Sequence, residues 1–249
     1  MAGTVVFTLA PLSLERKAHL LLGGLCAQRP SHSFIFDGHH LPFDARMTGI
    51  YLGGLVALVS LLTVGRMRYA ANLSMLSWGL LAGFVGVMGI DGLNSLLVDL
   101  GHWHPYPPDN WIRLVTGLLA GLSLGVVLMF LLASSVWRAE ARLPLPAVRP
   151  RDLAGLVAIL VPIGLLVVYG GDWLLAPLTV LLIGGAITTV SALTLACLAI
   201  IQSPFGLVAS WQELGTHAGR ASTFGLIAVL CLAVLRLVAE RTLGPLAGT

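Results

Sequence analysis

From Met47 onward the chain is written as long apolar runs separated by short polar breaks. The runs are about 20 residues long, which is what a helix needs to cross about 30 Å of hydrocarbon at about 1.5 Å per residue. They cover about Met47 to Val64, Leu73 to Val98, Trp111 to Trp137, Leu153 to Tyr169, Trp173 to Ile201 and Thr223 to Ala239. Inside a bilayer every backbone amide must be paired within the protein, so these runs are read as helices and not as open strands. The pattern predicts an all-α integral membrane protein with about six transmembrane helices in one bundle. A re-entrant stretch around LVASWQELGTHAG leaves that count unchanged. Pro162 and Pro177 are expected to kink the fourth and fifth spans.

Ahead of the first span, SLERKAHLLLGGLCAQ offers Ser13 as a helix N-cap and sets Leu14, Ala18, Leu21 and Leu25 at helical spacing. A short amphipathic helix is expected there, lying at the interface or folded back on the bundle. The apolar stretch Val5 to Leu12 precedes Arg16 and Lys17 where a secretory leader would follow a basic segment, so the chain is expected to keep its N-terminus. Four regions result: an N-terminal interfacial segment with a polar motif (1–46), spans one to three (47–137), a Pro/Arg-rich loop expected to be solvated (138–152), and spans four to six (153–249).

Composition agrees with this pattern: 57% of residues are hydrophobic and 10% charged, against roughly 25% charged in soluble domains. The net charge of +3 is small and spread over loops, so nucleic acid is not an expected partner. Three cysteines, two of them inside apolar runs, build no disulfide framework. With alternating spans, Arg66, Arg68, Arg138, Arg142, Arg149, Arg151 and Arg220 gather on one side. The positive-inside rule makes that side cytoplasmic and puts both termini outside. In either orientation, six of the seven histidines and every aspartate except Asp152 fall on the other side.

Several patterns carry candidate chemistry. Gly117, Gly121 and Gly125 repeat every four residues, as do Gly49 and Gly53, which lets backbones approach closely within the chain or between subunits. Gly79, Gly83 and Gly86 extend the pattern, so spans one to three are expected to form the tight half of the bundle. Asp91, near the end of its span, needs a cation or a polar cavity. Arg46 and Arg113 start neighbouring spans at that level, with Asn94 alongside, which allows a structural ion pair or a proton- or substrate-handling site. The DGHH and GHWHP clusters supply imidazoles in pairs, a possible divalent-metal set if the loops converge. In the stiff second loop, His102, Trp103, His104 and Tyr106 make a contact surface. Thr188, Thr189, Ser191 and Thr194 either line a path or bond their own helix carbonyls, and Arg236 is expected to snorkel outward. No nucleotide loop or nucleophile–base pair is present, so no catalytic role is expected.

The stretch around CAQRPSHSFIFDGHHLPFDARMTGIY resembles DUF2085, an uncharacterised family of predicted prokaryotic membrane proteins. That family's first motif runs C-H-Q-x-P-x-R-S-F, then a glycine, then C-x-R-C-x-G-I-Y. It is matched here by Cys26, Gln28, Pro30, Ser33, Phe34, Gly38, Arg46, Gly49, Ile50 and Tyr51, with DGLNSLL and NWIRLVTGLLAGLSLG as further blocks. The resemblance implies a prokaryotic inner membrane and no particular activity. Where the family offers Cys-His and C-x-x-C, this chain has Cys26-Ala27 and Asp44-x-x-Met47, with His32 in place of the arginine. The soft-metal set is thereby eroded, leaving Cys26, His39, His40 and Asp44 as the remaining ligands for a divalent metal. Two functions follow as expectations. One is an accessory or structural subunit packed among other membrane-protein subunits, in respiratory or photosynthetic assemblies that carry quinone or pigment. The alternative is a small-solute or divalent-metal carrier built on the His/Asp/Arg cluster.

Overall fold

The computed structural model describes residues 13–203 and 205–243. The stretch Val5 to Leu12 lies outside them. A short helix α1 (Leu14–Leu22) is followed by α2 (Ala45–Thr63), α3 (Met75–Asp99), α4 (Asn110–Ser135), α5 (Pro150–Tyr169), α6 (Leu175–Gln202) and α7 (Trp211–Leu243). Among the described residues, six helices are long and apolar enough to cross a membrane. The protein is an all-α membrane bundle.

Side chains fix where the spans begin. Asp44 accepts a hydrogen bond from the Met47 amide at 2.8 Å, Ser74 from the Ser77 amide at 3.1 Å and Asp109 from the Trp111 amide at 3.0 Å. Each occupies an amide that a helix start leaves unpaired. Pro150 opens α5, where its missing N–H costs nothing. Pro177 falls in the first turn of α6 and not in its interior, so it opens that helix where a kink was expected.

The helices are unequally buried. In α4, 67% of the apolar window is enclosed, against 22% in α3 and in α7. The centre is the α2–α4 seam: a Cβ on Gly49 would lie 2.6 Å from the Leu118 amide nitrogen, and one on Gly121 2.7 Å from the Ile50 Cα. Gly53, Gly117 and Gly125 meet opposing backbone in the same way. The expected extension to α3 fails, because Gly79, Gly83 and Gly86 have nothing within 4 Å. Helix α3 meets α4 through Ser77 and Leu81, and residues two apart point to nearly opposite sides of a helix, at about 100° per residue.

Two further expectations are corrected. Helix α7 begins at Trp211, not near Thr223, and Trp211 to Gly219 is continuous helix with no re-entrant turn. Hydropathy marks what sits in lipid, whereas a 33-residue helix is about 50 Å long and overruns the hydrocarbon. The Pro/Arg-rich loop is folded against the bundle. Its strand β4 (Leu143–Pro146) runs parallel to β3 (Tyr69–Ala71), and Ala147 and Val148 are fully buried. Arg66 ties it down through the Ala147 carbonyl at 3.0 Å and Asp152 at 2.5 Å.

Helix α1 packs against α6 and α7 through buried Ala18, Leu21 and Leu22. The hairpin β1 (Ile35–Phe36) to β2 (His39–His40) follows, and its Asp37 amide bonds Asp172, in the α5–α6 loop, at 2.7 Å. The N-terminal segment, the end of α3, the 100–109 loop and the α5–α6 loop therefore share one rim.

Candidate functional site

The polar cluster on that rim is assembled by helix registers. Arg46 comes two residues after the Asp44 cap. Asp91, Asn94 and Ser95 share one face of α3 at i, i+3 and i+4. Arg46 Nη2 meets Asp91 Oδ2 at 2.5 Å and also donates to Ser95 Oγ at 3.3 Å. Tyr106 OH donates to Asp91 Oδ1 at 3.1 Å, and Asn94 Nδ2 donates to the Tyr106 carbonyl at 2.9 Å. Asp91 is 1% exposed, so its charge is supportable only because both oxygens are engaged. The phenol of Tyr106 is pushed above its ordinary value, first by desolvation and then by the Asp91 carboxylate.

Arg113 does not pair with Asp91. Its Nη1 donates to Asn110 Oδ1 at 2.9 Å, and Asn110 Nδ2 reaches the Ser33 carbonyl at 3.4 Å. Among the described residues, the buried Nε atoms of Arg46 and Arg113 and Oδ1 of Asn94 have no hydrogen-bond partner. The four residues are neighbours, yet only Arg46 and Asp91 form the ion pair.

Of the possible metal ligands, Cys26 and Asp44 are brought together. Asp44 spends one oxygen on the α2 cap and accepts from Cys26 Sγ on the other at 3.3 Å. Burial, then the Asp44 charge, pushes the Cys26 thiol up to about 12. His39 turns outward to Glu15 at 3.0 Å, while His40 keeps a buried Nδ1 without a partner. Among the described residues, no group of three or more His, Cys, Asp or Glu side chains is placed to hold a metal ion. His32 is held below its usual value by burial and then by Arg113. Within the contact loop, His102, Trp103 and His104 are exposed, while Tyr106 turns inward.

Two residues matter more than their sequence signals announced. Gln28 adopts a left-handed backbone (φ 56°), which non-glycine residues rarely do. Its side-chain Nε2 donates to the His19 and Pro42 carbonyls at 3.0 and 2.8 Å, joining α1 to the start of α2. Arg236 turns inward where snorkelling was expected: it donates to the carbonyls of Gly23 (2.6 Å), Cys26 and Ala27 and pairs with Glu240 at 2.7 Å. Four carbonyl and carboxylate acceptors around one guanidinium are only legible once α7 is known to cross the N-terminal segment. On α6, Thr194 donates to the Val190 carbonyl at 2.8 Å, while the buried hydroxyls of Thr189 and Ser191 have no partner among the described residues.

A family model described as predicted membrane protein (DUF2085) matches residues 26–127, in keeping with the resemblance carried by the motif. Searches of curated proteins and of solved structures found no match. The matched residues do visible structural work: Cys26 and Gln28 hold the N-terminal segment, Gly38 turns the hairpin at φ 73°, Gly49 sits in the seam, and Tyr51 stacks on Phe43 at 4.7 Å.

Proposed function

We infer, taking that family match and the six apolar helices as the premise, that the protein is a non-catalytic subunit packed within a larger membrane complex. The observation that supports this reading is on α3. Gly79, Gly83, Gly86 and Gly89 run along a face where, among the described residues, nothing lies within 4 Å of a Cβ added at any of them. Glycine in a helix interior costs about 1 kcal/mol relative to alanine. In a bilayer that cost is recovered when a second helix approaches close enough for backbone contact. The expected occupant is a transmembrane helix of another subunit, beside a groove of about 580 Å³ flanked by Trp78 and Val85 on α3 and Leu124 and Val127 on α4. The carrier alternative draws less support, since Asp91 is enclosed with both oxygens committed.

Purification from native membranes in mild detergent tests the reading. Comigration with a larger assembly, released by Gly83→Leu while the chain stays folded, is the expected result. A wild-type chain that runs alone and takes up zinc or nickel stoichiometrically would overturn it in favour of the carrier.

A further inference from the structure

A second groove, between α4 and α5, points to a different occupant. It encloses about 430 Å³, and its floor is made by buried Leu118, Leu160 and Gly164. Gly164 is the reason the floor is deep, since a Cβ there would already sit 3.3 Å from Leu118 Cδ1. Val115, Val161 and Leu165 form the walls and are 40%, 57% and 53% exposed, so the groove is continuous with the lipid-facing surface of both helices. At its mouth stand Trp111 and Tyr169, the first turn of α4 and the last residue of α5, level with the polar rim.

The dimensions select the ligand. From Tyr169 to Val157 the groove follows α5 for about 18 Å at about 1.5 Å per residue, and one leaflet of hydrocarbon is about 15 Å deep. Tryptophan and tyrosine settle at the headgroup level, so the mouth sits where a lipid's glycerol backbone lies and the inner end, at Val157, where its tail ends. Apart from the Tyr169 phenol, the lining residues carry no ionisable group, which matches a hydrocarbon chain and leaves the headgroup unread. We propose that this groove is a binding site for one acyl chain of a phospholipid in the leaflet next to the polar rim, selected by its tail and indifferent to headgroup charge. The proposal depends on the membrane-spanning architecture and not on the subunit role above.

The full chain, reconstituted in phosphatidylcholine vesicles doped with a phosphatidylcholine that bears a mid-chain diazirine, tests it on irradiation. Peptides covering Val115–Leu119 and Val157–Leu165 should be labelled several-fold more than lipid-facing Val180 and Leu181 on α6. An anionic phosphatidylglycerol probe should give the same ratio. Val161→Trp, at a wall position open enough to take the indole, should remove the excess, and Leu165→Trp serves if that variant fails to fold. Val180→Trp should leave the excess unchanged. Labelling no stronger than at Val180, labelling unaffected by both groove variants, or a groove protected by a second protein chain would each overturn the site. A strong preference for the anionic probe would overturn its indifference to headgroup.

Discussion

Helices α2 and α3 both carry glycines at four-residue spacing, and they use them oppositely. In the α2–α4 seam the glycines are consumed: a Cβ on Gly125 would lie 2.7 Å from Ala57 Cβ and from the Gly54 carbonyl. On α3 the glycines face away from the bundle, and the helix is tied to its neighbours by polar groups instead. Arg46 holds Asp91, and Ser123 Oγ donates to the Leu81 carbonyl at 3.2 Å. One spacing therefore states a capacity for close approach, and the polar residues between the glycines decide which face turns inward. The largest effect is expected from breaking the seam. Gly121→Leu forces a side chain into the Ile50 backbone, which cannot rotate away as a side chain can. It should prevent recovery of a monodisperse protein in detergent, read by size-exclusion chromatography.

Breaking the tie on the other helix should cost less. Asp91→Asn leaves the Arg46 guanidinium facing a neutral amide, and removal of one partner of a buried pair costs about 3 kcal/mol. The expected outcome is a folded protein with a clearly lowered thermal midpoint in detergent. A carrier would instead keep its midpoint and lose transport, so the same variant sharpens the contrast between the readings. In the matching pair at the opposite rim, Arg66–Asp152, the carboxylate side chain is 20% accessible against 1% for Asp91. Asp152→Asn should therefore lower the midpoint less than Asp91→Asn does.

The third expected effect is smaller and depends on pH. Tyr106→Phe deletes the hydroxyl that donates to Asp91, and a hydrogen bond to a charged group contributes about 1.5 kcal/mol. Because the folded protein raises the Tyr106 phenol above its ordinary value, folding favours the protonated form. Its stabilisation is complete below the unfolded phenol value of about 10 and is lost as pH climbs through the raised folded value. A difference titration, wild type minus Tyr106→Phe, should isolate one tyrosine that ionises later than free phenol, and that component should shift back down in Asp91→Asn. The seam, made of uncharged backbone contacts, should show no such alkaline loss.

How much of this was legible in the sequence follows from what each signal measures. Apolar length reported every span, because backbone pairing in lipid admits little else. It missed the start of α7, where Gln212, Glu213, His217 and Arg220 are helical but not lipid-like. The Arg46–Asp91 pair was legible because a buried carboxylate needs a cation at its own depth. Which of two arginines supplied it was not, since that depends on Asn110 capturing Arg113. His39 was drawn away by Glu15, a contact between residues too far apart for spacing rules to register, whereas Asp44 was taken by the helix-start amide three residues on, a cap signal that competes with ligation. The inward clamp of Arg236 on carbonyls some 210 residues earlier is of the same kind.

The smallest effect on the isolated chain is expected where the comparison began. Gly83→Leu adds a side chain to open space, so it loses no contact within this chain, and leucine forms helix more readily than glycine. Its thermal midpoint in detergent should match or slightly exceed that of the wild type, with a change of about 0.5 kcal/mol or less. The same leucine would hold a partner backbone several ångströms away from α3, so in native membranes the variant should drop out of the assembly while remaining folded. Gly155→Leu on α5, another glycine with open space around it, is the control for added bulk in general. If Gly83→Leu lowers the midpoint as strongly as Asp91→Asn, the glycine face of α3 is packed within this chain after all, and the contrast between the two helices disappears. If both glycine variants stay in the assembly, the face belongs to lipid and the partner must dock elsewhere.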